Sequence, residues 1–391
     1  MNVNKRLTRT IAVVMMGYSA AVAVLPVVLG DLVEEFALEG GRIGLASSFS
    51  SIGVLLALLI FSPLIQGRLS KRTVLAVSGI SAVVILVLAG YATKYKLLLG
   101  CHFMLGILLG GFFDSFANSY IVDLNYKNSG RYVSLLHACY GFGGLIAPVL
   151  FSQILLRTDR YMVYFAAAML LMVTLLPFLI TSALSKKPKE TEQREVRLSK
   201  DFVRLFFIEK RNWMLLLAIF FYCAIQNTHI LWVMRYISVE LDAPKLSSLA
   251  LAGYWICSTL CRLFVSYLPG KPLTKFTVAL IPVAICFCLG LFVRNAIAMI
   301  VVSCLFGLLA GHSIPTLINE CARHYKGATT FPTIFMILAM HAASIVMPPI
   351  MGGISKRFSL RLAMFSLPAM ALCAFIIGTF LLINSKRVKE K

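Results

Sequence analysis

The chain has little charge and very little acid. Of its 391 residues only 14% are charged, against roughly 25% in an ordinary soluble domain, and 16 Asp and Glu stand beside 37 Lys and Arg. So few charges cannot cover a water-facing surface, which excludes a soluble globular protein. Catalytic patterns are missing as well: there is no GxSxG, no Walker-type loop, no HExxH and no pair of carboxylates inside an apolar run. Their absence argues against an enzyme and against an ATP-driven pump, and no cofactor is expected. The ten cysteines, almost all inside apolar stretches, form no CxxC pair and have no His partner at zinc spacing. They read as small core-filling side chains.

What the sequence has instead is hydrocarbon: 59% of residues are hydrophobic and the mean hydropathy is +0.87. Apolar runs of roughly 18 to 25 residues, long enough to cross a bilayer, fall at 11–30, 43–65, 74–92, 97–122, 132–156 and 161–184. Six more fall at 212–234, 247–268, 276–293, 296–319, 328–352 and 362–383. The first is too long for a signal-peptide core and is read as a membrane helix. The expected fold is an all-α membrane protein of twelve transmembrane helices. Residues 1–184 and 212–391 would each form a six-helix bundle, joined by a cytoplasmic linker at 185–211. Leu198, Phe202, Leu205 and Phe206 in the linker suggest an amphipathic piece on the membrane surface.

The net charge of +21 would raise nucleic acid as a partner if it formed one basic face, but the charges sit between the apolar runs. With the N-terminus inside, 25 of the 37 Lys and Arg lie on the cytoplasmic side, which places both termini in the cytoplasm of a cell, or inner, membrane. Lys356, Arg357 and Arg361 in the last external loop run against that bias. The charge is thus topological and suited to anionic lipid headgroups. No nucleic-acid partner is expected, and the chain should act as a monomer.

The halves repeat. Gly106, Gly110 and Asn118 recur 201 residues later as Gly307, Gly311 and Asn319, and His137-Ala138 recurs 204 later as His341-Ala342. The turn GRLSKRTV from Gly67 returns, with one inserted residue, as GKPLTKFTV from Gly270. Ordered matches at nearly one offset point to a parallel six-plus-six duplication.

Ionisable groups inside a span are costly, so each is a functional-site hypothesis. Asp114 is the only acid deep in a span. It stands on a stripe at helical spacing with His102, Gly106, Gly110 and Asn118. Glycines on that face permit close approach of a helix or a ligand. An acid at that depth suits a group that loads and releases a proton as access alternates. The alternative is an acid hydrogen-bonded in the helix packing, or paired with Arg262. Pro315 occupies the equivalent place in the second half, which confines such coupling to the first.

In the seventh span, Gln226, Asn227 and His229 with Trp232 one turn on offer amide donors and acceptors and an aromatic plate. That set suits a hydroxyl-rich ligand or, equally, helix-to-helix bonding. His137 and His341, at equivalent places in the halves, are further candidate ligand contacts. Arg262 could bind an anion, balance Asp114, or snorkel to the interface.

The stretch GILLGGFFDSFANSYIVDL from Gly106, followed by SLLHACYGFGGLIAPVL from Ser134, resembles the fucose permease-like branch of the major facilitator superfamily. Asp114, Asn118, His137, Gly141 and Pro148 match its pattern. The branch's namesake carries a second acid within its first helix; here that helix has Tyr18 and Ser19, with Asp31 at its mouth. The resemblance implies proton-coupled symport of a monosaccharide or similar polar solute. GFGGLIAP in the fifth span leaves a drug or metabolite efflux antiporter open, although Val149-Leu150 stand where that motif has a glycine pair. A transporter-like sensor or lipid-handling protein is a third reading, less favoured because no output domain is seen.

Overall fold

The computed structural model describes residues 3–65, 68–125, 129–185, 200–267, 269–322 and 330–387. Most of the expected linker, and the loop positions Gly67, Lys127, Arg323 and Lys326, lie outside the described residues.

Among the described residues twelve helices are long and apolar enough to span a membrane. We label them α1 (Asn4–Glu35), α2 (Gly40–Phe61), α3 (Lys71–Gly90), α4 (Tyr95–Leu124), α5 (Leu135–Leu155), α6 (Arg160–Leu184), α7 (Lys210–Glu240), α8 (Pro244–Phe264), α9 (Pro272–Val293), α10 (Ala296–Cys321), α11 (Pro332–Arg357) and α12 (Leu360–Asn384). The chain is a multi-pass membrane protein with the expected span count. The starts follow local chemistry. Ser70 caps α3 by accepting from the Thr73 amide at 3.2 Å. Asn295 caps α10 through the amides of Ile297 and Ala298, and α8 and α9 begin on prolines. Large apolar side chains such as Val84, Val173, Phe292 and Ile376 are exposed on the helix exteriors, as hydrocarbon-facing surfaces require.

The chain divides into two compact units, Met1–Glu192 and Gln193–Lys391. Inside the first, α1 packs on α5 and α6, α2 on α4, and α3 on α6 and α4. Inside the second, α7 packs on α11 and α12, α8 on α10, and α9 on α12 and α10. The pairings are the same shifted by six helices, so the sequence repeat is also a repeat of packing.

The glycines identify the contacts that the repeat preserves. A Cβ at Gly106 would strike the Ser50 backbone of α2, and one at Gly307 the Tyr254 backbone of α8. Backbone cannot move aside as a side-chain tip can. Gly106→Ala and Gly307→Ala should each destabilise the protein by about 1–3 kcal/mol, seen as a lower melting temperature in detergent. Gly100→Ala, with nothing within 4 Å of its Cβ, should melt as the wild type does. Equal melting of all three would mean that the glycine contacts do not set helix spacing.

Among the described residues of 185–211 a short helix, Lys200–Ile208, precedes α7. Phe206 is buried and stacks on Phe335 of α11, centroids 4.8 Å apart. Asn212 and Trp213 donate to the carbonyls of Phe206 and Phe207, both at 2.8 Å. Leu205 and Ile208 stay exposed, so the amphipathic piece docks one face on its own bundle.

Candidate functional site

Asp114 follows a wide helical turn. Gly106–Phe113 in α4 is π-helical, and it packs on a second wide turn in α2, Ala57–Phe61. Glycines at 106, 110 and 111 allow this, since a Cβ at each would collide with Ser50, Val54 or Ala57 of α2. A wide turn carries more residues than an α turn, so the spacing of four slips out of phase.

The stripe expected from the sequence is therefore split. His102 is buried in the bundle and bonds Tyr164 of α6, Nε2 to Oη 2.9 Å. Gly106 and Gly110 face α2. Asp114 and Asn118 lie beyond the slip and are half-buried.

Asp114 and Asn118 form a local pair. Asn118 Nδ2 donates to Asp114 Oδ1 at 3.0 Å and to the Asp114 carbonyl at 2.9 Å. Among the described residues Asp114 Oδ2 has no protein partner. Tyr18 of α1 is within electrostatic reach of Asp114; its ring lies 6.3 Å from Phe113 and 5.2 Å from Tyr140 of α5. A carboxylate with one oxygen held and one unclaimed, beside aromatic faces, can take a proton and present a polar edge to a hydroxyl group. Tyr140 was not singled out from the sequence; its signal was its place three residues after His137.

The seventh-span cluster disperses. Asn227 Nδ2 donates to Ser344 Oγ, tying α7 to α11. Gln226 is buried with its Oε1 unpartnered, and Trp232 is 0% exposed with Nε1 unpartnered. His229 is also 0% exposed, boxed by the rings of Tyr254, Phe287 and Phe306 at 5.4–5.5 Å. Both its ring nitrogens lack a protein partner. Such a box leaves no room for a sugar against the ring, so we assign His229 to the core of its unit. His229→Leu removes two unpaired buried nitrogens at similar volume, so it should leave the melting temperature unchanged or raise it, by up to about 1 kcal/mol in stability. Loss of transport in a folded His229→Leu protein would return His229 to the ligand site.

His137 is exposed on α5, whereas His341 is half-buried on α11 with Nδ1 unpartnered. Equivalent places in the sequence thus have unequal surroundings. Arg262 Nε donates to the Gly311 carbonyl at 2.9 Å, so part of its guanidinium is engaged inside its own unit. No group of three metal-ligating side chains occurs among the described residues, and the ten cysteines are free thiols, four buried and six half-buried.

Comparison with known proteins places this geometry in a family. The sequence model of the Major Facilitator Superfamily matches residues 10–331. A mutant form of the nucleoside transporter NupG superposes with a TM-score of 0.80 at 12% identity, the match covering 97% of this chain and 100% of that one. A bacterial homologue of the human lysosomal transporter Spinster, inward-facing and unoccupied, gives 0.72 at 15% identity over 97% of both chains. FucP, a Major Facilitator Superfamily transporter in the outward conformation, gives 0.64 at 17% identity over 97% of this chain and 99% of that one. At these identities the likeness is one of fold. Among curated proteins no match was found.

Proposed function

This chain belongs to the major facilitator superfamily, and from that premise we propose that it is a secondary active transporter taking up a monosaccharide-like solute together with protons. It would span the inner membrane with both termini in the cytoplasm. The observation that carries the reading is the half-buried Asp114–Asn118 pair deep in α4, where the acid has one oxygen held by Asn118 and the other without a protein partner among the described residues.

The division of labour follows from the donors and acceptors. Asp114 loads the proton at Oδ2. Asn118 holds Oδ1 in place whether or not the acid is charged, because its amide donates in both states. Tyr18 and Tyr140 supply ring faces and hydroxyls for a polyol beside the acid. A nucleoside transporter stands among the structural neighbours, and a nucleoside presents a sugar's hydroxyls, which is consistent with a hydroxyl-rich ligand. The test is accumulation of labelled hexoses and nucleosides in right-side-out vesicles under an inward proton gradient. Uptake abolished by an uncoupler supports symport. Compounds leaving the cell faster under the gradient would point to the efflux antiporter.

A further inference from the structure

The crossing of α8 and α10 in the C-terminal unit sets two thiols against each other. Cys257 of α8 and Cys304 of α10 are both half-buried, and each rests on a glycine of the opposite helix. A Cβ at Gly253 would lie 2.5 Å from Cys304 Sγ, and one at Gly307 would lie 3.2 Å from Cys257 Cβ. Gly253 is one turn from Cys257, and Gly307 is one turn from Cys304. Without side chains at the two glycines the helices close, and the thiols come within hydrogen-bonding reach of one another.

The internal repeat shows that this crossing does not need sulfur. The contact of Gly106 with Ser50 recurs as that of Gly307 with Tyr254, which fixes offsets of 201 for α10 and 204 for α8. At those offsets Cys257 answers to Gly53 and Cys304 to Phe103. The first-half positions touch directly: a Cβ at Gly53 would lie 2.2 Å from the Phe103 carbonyl oxygen. Packing at this level is thus met in the first half by a glycine and a phenylalanine. In the second half both positions are cysteine, and a small apolar filler has no need of a second thiol beside it.

The pair opens at the exterior of its unit. Ile256 and Leu260 beside Cys257, and Val301 and Leu308 within a turn of Cys304, are 39–50% exposed. What reaches the sulfurs therefore passes over apolar surface, which favours a neutral, lipid-soluble molecule. Cys261, one turn from Cys257 on α8, differs: it is buried and turned to His312, Sγ to Nδ1 3.5 Å.

We propose that Cys257 and Cys304 form a dithiol site for a soft thiophile of the trivalent-arsenic class. Cysteine sulfur is a soft donor and selects soft centres. Two thiols held together bind as a chelate, because the second bond forms at high effective concentration. With a neutral arsine oxide the step balances. Two S–H bonds break, two S–As bonds form, and both protons leave with the oxygen as one water, so arsenic and sulfur keep their oxidation states. The product is a covalent bridge between α8 and α10.

Full-length protein in lipid nanodiscs is treated with phenylarsine oxide and then challenged with excess monothiol, which strips arsenic held by a single cysteine. The intact mass should show one phenylarsenic group retained with the loss of two hydrogens, and a dithiol such as dimercaprol should remove it. Peptide mapping should place the bridge between Cys257 and Cys304. In Cys257→Ser and in Cys304→Ser the concentration of phenylarsine oxide needed for half retention should rise at least about a hundredfold, the loss of the chelate. The peptide map is read on wild-type protein alone, so the proposal stays testable if a serine variant fails to fold. Absence of a retained adduct on the wild type, a bridge mapped to Cys257 and Cys261 or to any other pair, or equal retention by the wild type and both serine variants overturns the proposal. No arm requires transport, so the result stands apart from the identity of the carried solute.

Discussion

Replacing Asp114 by Asn collapses gradient-driven accumulation while leaving exchange intact. One proton crossing 100 mV releases about 2.3 kcal/mol. At about 1.4 kcal/mol per factor of ten, that supports a solute gradient of roughly 50-fold for each coupled proton. An amide has the shape of the acid and can still bond Asn118, but it carries no exchangeable acid proton. The solute can then move only down its own gradient, so accumulation in Asp114→Asn vesicles should fall to about unity, with no response to an uncoupler. Counterflow of labelled against unlabelled solute needs no net proton movement and should persist. That pairing separates loss of coupling from loss of fold. If Asp114→Asn accumulates solute to the wild-type ratio and still responds to an uncoupler, the acid is a packing element, and another residue carries the proton.

The spans and the duplication were legible because both depend on local or fixed-offset signals. Bilayer thickness sets the length of an apolar run, and the same glycines recur where α2 meets α4 and α8 meets α10. The Asp114–Asn118 pair was legible for the same reason, since four residues make one helical turn. The stripe around it was not, because Gly106–Phe113 departs from the α period. What drives the departure is contact with α2, about 50 positions earlier in the chain. His229 shows the complementary failure. A polar residue in an apolar run reads as functional by rule, but its surroundings are set by Tyr254, Phe287 and Phe306 on three other helices. No spacing within α7 encodes them. Ser344 lies three residues after His341, yet its role as the partner of Asn227 likewise appears only when α7 and α11 are packed.

Arg160 is where the same limitation hid the strongest structural contact. A charged residue in a short loop between two apolar runs in the sequence, it is 2% exposed at the start of α6. Its Nε and Nη2 grip the Glu35 carboxylate at the end of α1. Nη1 donates to the carbonyls of Ala89 and Gly90, at 3.3 and 2.8 Å, and Nη2 to that of Ala92 at 2.7 Å. Every guanidinium N–H thus has a partner. The carbonyls of Ala89 and Gly90 are among those at the end of α3 that no helical amide can satisfy, and they form the negative end of that helix. The rings of Tyr161 and Phe36 cover the cation at 4.6 and 5.3 Å. One side chain therefore closes α1, α3 and α6 at one end of the N-terminal unit. Arg160→Ala would leave the carbonyls of Gly90 and Ala92 and the Glu35 carboxylate without this partner, a loss of at most about 3–5 kcal/mol by analogy with broken buried pairs, because water reaches the 35% exposed Glu35. Arg160→Lys keeps the charge but not the fork, so it should fall between. Glu35→Gln should cost least, because Glu35 is 35% exposed and water can replace much of what it gives. Melting temperatures in one detergent should rank Glu35→Gln above Arg160→Lys above Arg160→Ala. An Arg160→Ala protein that melts with the wild type would mean that α1, α3 and α6 are held by their apolar packing alone.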